Sequence, residues 1–411
     1  MTNEHLKRFE EMNTTTDSIY DLGDFQVLII LKDGTNLTNW QDVKNEDDIL
    51  YISEDLSNET DLTIKYANLE NVKLIIASGV TNKVTNMEFM FYRCLSLVAI
   101  VGLESWDVSN VTNMASLFKG CSLEMDLSCL ESWDVSGVTD MSHMFDGCYN
   151  CKNFDALKDW DVSNVTNMSG MFRVLFDSTD FSFLSSWDVS NVTDMSHMFY
   201  WCGGFGDLFV LSSWDVSKVE NMNGMFEKCF DFQYIRKLVD LGGLTNWDVS
   251  NVRFMEAMFK DCTSLKSISS LSNWDVSNVL DMAEMFYNCR NLEDISALKS
   301  WDVSIVLDMS DMFHDCWAIK NLNNLRYWNV SKVTSLWGMF GHCNSLSNIS
   351  ALSNWNVSNV KNMNSMFIWC KSLKDASLLS EWDVYNVEDI QDIFFGCKNL
   401  EKYPYWYLKE E

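Results

Sequence analysis

Tryptophan stands at positions 106, 133, 160, 187, 214, 247, 274, 301, 328, 355 and 382. Successive positions differ by 27 throughout, except for a step of 33 from 214 to 247. Counting back 27 from Trp106 reaches Gly79, where Val84, Met87, Met90, Phe91 and Cys94 keep the pattern without the Trp, so the chain holds about twelve copies. A fixed period of this size is the signature of a stacked repeat array, in which no single copy can bury its apolar face alone. That overrides the two or three domains that 411 residues would otherwise suggest.

One copy shows the logic. Below, positions are counted from the Trp of each rung, so that in the rung of Trp274 Met282 stands at +8. Leu271, Trp274, Val276, Val279 and Met282 form L-x-x-W-x-V-x-x-V-x-x-M. Trp and Val two apart face one side of a short extended segment, with Asp275 on the other. Met282, Met285 and Phe286 then follow at i, i+3 and i+4, the spacing of one helical face. The residue at +7 is Asn or Asp in nine of eleven copies and Ser335 in a tenth, a short polar side chain suited to capping first-turn amides. The spacing predicts a one- to two-turn helix or a 3₁₀ piece starting there. Cys289, Leu292, Ile295 and Leu298 continue the buried side to Trp301. Each rung reads as short strand, turn, short helix and return.

The only proline, Pro404, lies beyond the repeats, as a hydrogen-bonded ladder between rungs requires. Residues 1–78 lack the Trp repeat. Residues 1 to about 20 read as a polar leader, and 25–31, 48–52, 61–66 and 72–76 as strands, with a turn at 32–35. An array end exposes core unless it is covered, so 1–78 is expected to be a capping region, 79–400 the solenoid and 401–411 a C-terminal tail or cap. A small enzyme within 1–78 is the distant alternative.

Formal charge is −29, from 59 acidic and 30 basic residues. Such a field disfavours nucleic acid and anionic lipid, and if anything favours a basic protein partner. No stretch approaches the roughly 20 apolar residues of a membrane span. The first residues do not read as a secretory signal, which predicts an intracellular, cytoplasmic protein. The 13 cysteines are odd in number, and eleven occupy one repeat position, with Leu175 in the same slot. They read as buried thiols filling the core, without the paired spacing of a metal site.

The repeated Trp and Met residues read as core. Asp107, Asp134, Asp161, Asp188, Asp215, Asp248, Asp275, Asp302 and Asp383, interrupted by Asn329 and Asn356, read as an outward face bonded to the amides that follow; calcium on this ladder is the lesser alternative. His314 and His342 fall on adjacent rungs and read as surface residues. No nucleophile–base order, Gly-rich phosphate loop or metalloprotease helix appears. No cofactor and no metal are expected. What varies between rungs is more informative. Tyr149, Phe176, Tyr200, Trp201, Trp317, Trp337 and Trp369, with Ile368, fall at positions expected to face solvent. Clustered exposed aromatics mark interaction sites. Trp317, Trp337 and Trp369 come from successive rungs and form the candidate patch for a protein partner or a dimer, with Ile368, Trp201 and Tyr200 as further binding candidates. The alternative is aromatics that seal the helix side. Six extra residues around 232–243 account for the longer rung.

The motif W-[DN]-V-S-N-V-T-N-M-x-x-M-F-x-x-C-x-x-L, seen in Trp187–Met195 with Met198, Phe199 and Cys202, resembles that of the BspA-like leucine-rich repeat surface proteins over residues 79–400. The resemblance implies a leucine-rich-repeat-like, right-handed α/β solenoid of strand–short-helix rungs. It also implies a non-enzymatic role in adhesion or protein binding, and a cell surface as the alternative location. The expected function is therefore a binding scaffold, with a structural or self-assembling solenoid as the alternative.

Overall fold

The computed structural model describes residues 27–37, 49–121, 126–149, 151–175, 180–203, 205, 208–229, 238 and 240–407. The chain forms two compact units, Met1–Val165 and Thr166–Glu411. The expected leader, Phe176, and residues 230–237 and 239 of the long rung lie outside the described residues.

In the first unit a sheet of order β2-β1-β3-β4-β5 is built from Val27–Leu31 (β1), Asn36–Leu37 (β2), Ile49–Asp55 (β3), Leu74–Ser78 (β4) and Ala99–Val101 (β5). β1 is antiparallel to β2 and β3, whereas β3, β4 and β5 run parallel. The expected strands at 25–31, 48–52 and 72–76 are present with shifted ends. The expected strand at 61–66 is instead a run of turns. That run is a divergent rung: Asp61 bridges to Asn86, and Tyr66 stacks on Phe91 at 5.6 Å. Its buried phenol donates to Glu54 of β3 at 2.6 Å. Burial, with Glu54 beside it, pushes the Tyr66 hydroxyl well above its usual pKa.

In both units successive rungs are tied by single parallel bridges at +7. In the second unit these link Asn167, Asp194, Asn221, Phe254, Asp281, Asp308, Ser335, Asn362 and Asp389 in turn. Each rung is a repeat of turns and bridges rather than the expected short strand with a short helix or 3₁₀ piece from +7, and its helical pieces are 3₁₀ segments placed just before the Trp, such as Ser269–Leu271.

The absence of the helical piece expected from +7 has a local cause. The cap itself is real, because Asp281 Oδ1 accepts from the Ala283 N–H at 2.9 Å. Glu284 at +10 and Asn288 at +14 then take left-handed φ values of 56° and 58°, which no α-helix tolerates. The backbone donors split into two sets. Met282, Glu284, Phe286 and Asn288 donate to Asp308, Ser310, Met312 and His314 of the next rung, while Met285, Tyr287 and Cys289 donate three residues back. The apolar i, i+3, i+4 spacing therefore belongs to a turn run laddered to its neighbours.

The interior consists of repeated columns. Trp274 is 3 % exposed, stacks on Trp301 at 6.4 Å, and its indole N–H donates to the Leu244 carbonyl at 3.0 Å. A buried indole needs such a partner. Phe259, Phe286 and Phe313 stack at 5.7 Å steps. The repeat cysteines are free and buried, and Cys289 Sγ donates to the Phe259 carbonyl at 3.2 Å. At the C-terminal end Trp406 continues the Trp column at 6.5 Å from Trp382, by a step three short of the period, while Tyr403 and Tyr407 pack edge-on against Phe394. Residues 403–407 thus lay their rings against the last rung.

Candidate functional site

The outward Asp ladder is spent locally. Asp275 Oδ1 accepts from the Ser277 N–H at 3.0 Å, and Asn329 makes the same bond to Ser331 at 3.2 Å. The hydrogen bonds from Ser277 hold the Asp275 carboxyl below its usual range. Around Asn278 the side-chain amide donates to the Ser250 carbonyl of the preceding rung at 2.7 Å, so the repeated Asn is a ladder residue.

The turn runs differ from the interior because positions +13, +14 and +16 change from rung to rung. In the second unit they assemble a file of rings. Tyr287 stacks on His314 at 5.2 Å and 18°. His314 lies 5.2 Å from His342, which lies 6.3 Å from Trp369, and Trp369 meets Phe395 edge-on at 5.6 Å. Lysines flank the file: Lys260 sits 4.9 Å from the Tyr287 ring and pairs with Glu284, and Lys398 sits 5.9 Å from the Trp369 ring. His314 Nδ1 is 2.8 Å from the buried Asp311 carboxylate. Burial alone would lower the His314 pKa, but the Asp311 bond and the charges of Asp311 and Asp315 outweigh it and raise it. His342 is lowered by burial, with His314 and Lys371 adding to the effect.

A second group lies earlier in the same unit. Arg173 covers the Tyr200 ring at 4.7 Å, and Lys228 Nζ donates to the Tyr200 hydroxyl at 2.9 Å while lying 6.0 Å from the Trp201 ring. Tyr200 and Trp201 are half-buried and touch at 6.4 Å. Of the remaining candidates, Trp317 is 40 % exposed, lies under Arg290 at 4.4 Å, and donates from its indole to Asp315 at 2.8 Å. Trp337 is 45 % exposed at +9. Trp369 and Ile368 are half-buried neighbours. Trp317, Trp337 and Trp369 occupy +16, +9 and +14, and no ring contact joins any two of them. The structure gathers Trp369 with histidines instead.

Sequence reading missed this gathering, although a signal existed. Gly341 follows His314 by one period, and a Cβ there would meet the His314 ring at 2.7 Å. Gly396 follows Trp369 by the same step, and its Cβ would meet that indole at 2.5 Å. A bulky turn-face residue followed one period later by Gly marks a side chain laid over the next rung.

Among the described residues no group of three or more His, Cys, Asp or Glu could hold a metal ion, and no helix is long and apolar enough to cross a membrane. In the first unit a hollow of about 480 Å³ opens beside Ile64, Leu69, Phe89 and Tyr92. Its Lys65 is already paired with Glu54 and Glu59 at 3.0 and 3.1 Å.

Within each unit the architecture is a stack of repeated rungs laddered one to the next. The chain belongs to the family described as "Mycoplasma protein of unknown function, DUF285", whose model matches residues 60–175, 148–241, 173–293, 232–346 and 308–407. The matches fall on the repeats that resemble the BspA-like motif and reach N-terminally to the divergent rung at Asp61. Among solved structures, a leucine-rich repeat protein from Bacteroides ovatus is similar at 13 % identity, over 91 % of this chain and 90 % of that one, with a TM-score of 0.38. A leucine-rich cell surface protein from Faecalibacterium prausnitzii is similar at 14 % identity over 93 % of both chains, with a TM-score of 0.30. No curated protein matches the chain in sequence.

Proposed function

We propose that this chain is a non-enzymatic repeat scaffold for protein binding, and that the turn face of the second unit is the surface a partner contacts. One observation carries the reading. Trp201 and Trp369 stand at +14 with φ of 57°, a left-handed position shared by the rungs and filled elsewhere by Val174, Lys228, Asn288, His342 and Gly396 among others. A bulky side chain there costs on the order of 1–2 kcal/mol. Both rings are half-buried on the turn face and neither joins the repeated interior columns. A half-buried aromatic kept at an unfavourable backbone position on a varied face is what a recognition surface produces. Trp317, Trp337, Tyr200 and Ile368 extend the same face. With the formal charge of −29, a basic partner is favoured.

A photo-crosslinking residue placed at Trp337 should capture a discrete partner from native extract. The same residue at Asp275, on the locally bonded ladder, should capture none. Equal labelling from both positions would remove the assignment of the face.

Self-assembly is the second reading, and it has its own support. In inner rungs the N–H groups at +8, +10, +12 and +14 donate to the following rung. Those of Ile390, Asp392, Phe394 and Gly396 in the last turn run make no hydrogen bond among the described residues. An open row of donors is a template for pairing with another chain. Light scattering on the purified chain tests it: a monomer whose mass does not change with concentration ends this reading.

A further inference from the structure

We propose that His314 and His342 act as a one-proton stack: the two rings pack while a single imidazole is charged, and they part when a second proton arrives, moving Trp369. The proposal deepens the reading of the turn face as the binding surface and rests on it for its use, although its physics needs no partner. His314 is clamped between Tyr287 at 5.2 Å and His342 at 5.2 Å, and Gly338 and Gly341 of the next rung leave room for Asp311 and for the His314 ring. The groups around the pair are unequal. Asp311 at 2.8 Å and Asp315 at 3.8 Å lie on the His314 side. On the preceding rungs Tyr287 is flanked by Lys260 and Asp261, and beyond His342 lie Trp369 and Lys371. The first proton thus belongs on His314, beside two carboxylates and against a phenol face. A proton on His342 meets the charge on His314 and that of Lys371, with Asp315 as the opposing carboxylate.

The pH window follows from the directions of the two shifts. His314 is raised, so its contribution is full below the ordinary imidazole pKa of about 6.5 and is lost as pH rises through its folded value. His342 is lowered, so its contribution is full above about 6.5 and is lost as pH falls through its folded value. The stack is firmest between the two folded values and loosens toward acid, where both rings are charged. Histidine suits this role because small environmental shifts move it across the physiological range.

The test is imidazole NMR on the ¹³C-histidine-labelled full chain, with the two resonances assigned by substitution. His314 should titrate above the ordinary value and His342 below it. In His314→Gln the His342 midpoint should rise by about 0.6 pH unit or more at low ionic strength. Coulomb's law gives that figure for two unit charges 5.2 Å apart with the dielectric constant of water. Should that variant fail to fold, His314→Asn serves in its place, with the same rise expected at His342. In 5-fluorotryptophan-labelled protein, the Trp369 ¹⁹F signal, assigned by its loss in Trp369→Phe, should move across the acid limb. In His342→Phe, which keeps a ring without a proton, that movement should vanish. A His342 midpoint unmoved by the first substitutions, or a Trp369 shift that persists in His342→Phe, overturns the proposal. Neither result bears on whether the turn face binds a partner.

Discussion

The interior columns and the turn face of the second unit use the same backbone and obey different rules. Inside, Trp274 and Trp301 see nearly identical surroundings, because each rung is roofed by a copy of itself. Outside, His314 is roofed by Gly341 and Trp369 by Gly396, so neighbouring rungs differ in order to fit each other. Repetition therefore reports packing. Departure from repetition at a shared backbone position reports something selected for its side chain.

The interior should break hardest. Trp274→Ala removes a buried ring, its stacking on Trp301 and the bond to the Leu244 carbonyl. Denaturant unfolding should show a loss of about 3–5 kcal/mol, the range for large core truncations. A loss under about 1 kcal/mol would mean that the column does not hold the rungs together.

Next in size is the junction of the two regions. Gly341→Val would drive its side chain into His314 at 2.7 Å and toward Ile368 at 3.0 Å. Overpacking of this kind costs about 1–3 kcal/mol. The same substitution should also erase the unequal titration of His314 and His342, which histidine NMR would read directly. Loss of stability with the titration intact would separate the two effects and weaken the case that Gly341 serves the stack.

Much of the interior was legible in the sequence, because a strict period forces equal burial at equal positions. The Trp, Met, Phe and Cys columns and the bond from Asp281 to the next turn could all be read that way. The helical or 3₁₀ piece expected from +7 was misplaced for a definite reason: Met282, Met285 and Phe286 have helical spacing, while Glu284 and Asn288 give no sign of their left-handed backbone. Glycine would have announced it, as it does at 338 and 396, but most rungs place other residues there. The divergent rung at 61–72 escaped because Leu62, Lys65, Tyr66 and Leu69 keep the shape of the motif but few of its residues, and the step from Leu62 to Met87 is 25 rather than 27. The ring file was hidden for the opposite reason. It depends on pairs one period apart that differ, such as His314 with Gly341, and a search for sameness passes over them.

A third substitution sets the turn face against its own backbone. Trp369→Asn returns +14 to a residue type used at Asn288, and relieves part of the left-handed strain. It also removes the contacts with His342 and Phe395. Thermal unfolding should change by no more than about 1 kcal/mol either way, whereas partner capture by the Trp337 crosslinker should fall sharply. A function-first residue gives up activity with little change in stability. A loss as large as that of Trp274→Ala would class Trp369 with the core instead.

The smallest effect is expected at Asp275, and there the comparison becomes sharpest. The carboxyl is exposed and bonded to Ser277, a role Asn329 and Asn356 already fill for their own serines in two rungs. Asp275→Asn should leave stability at neutral pH within about 0.5 kcal/mol, as for surface changes away from special features. The sign with pH is fixed by the lowered pKa. The charged form contributes above the ordinary carboxylate value of 3.8, and that contribution is lost as pH falls through the lower folded value. The variant should therefore lose slightly less stability than the parent between pH 5 and pH 2, in denaturant curves at matched salt. If it instead destabilises the chain at neutral pH by more than about 1 kcal/mol, the Asp does more than cap the next amide. The line between a repeated structural ladder and a varied recognition face would then have to be redrawn through the Asp column.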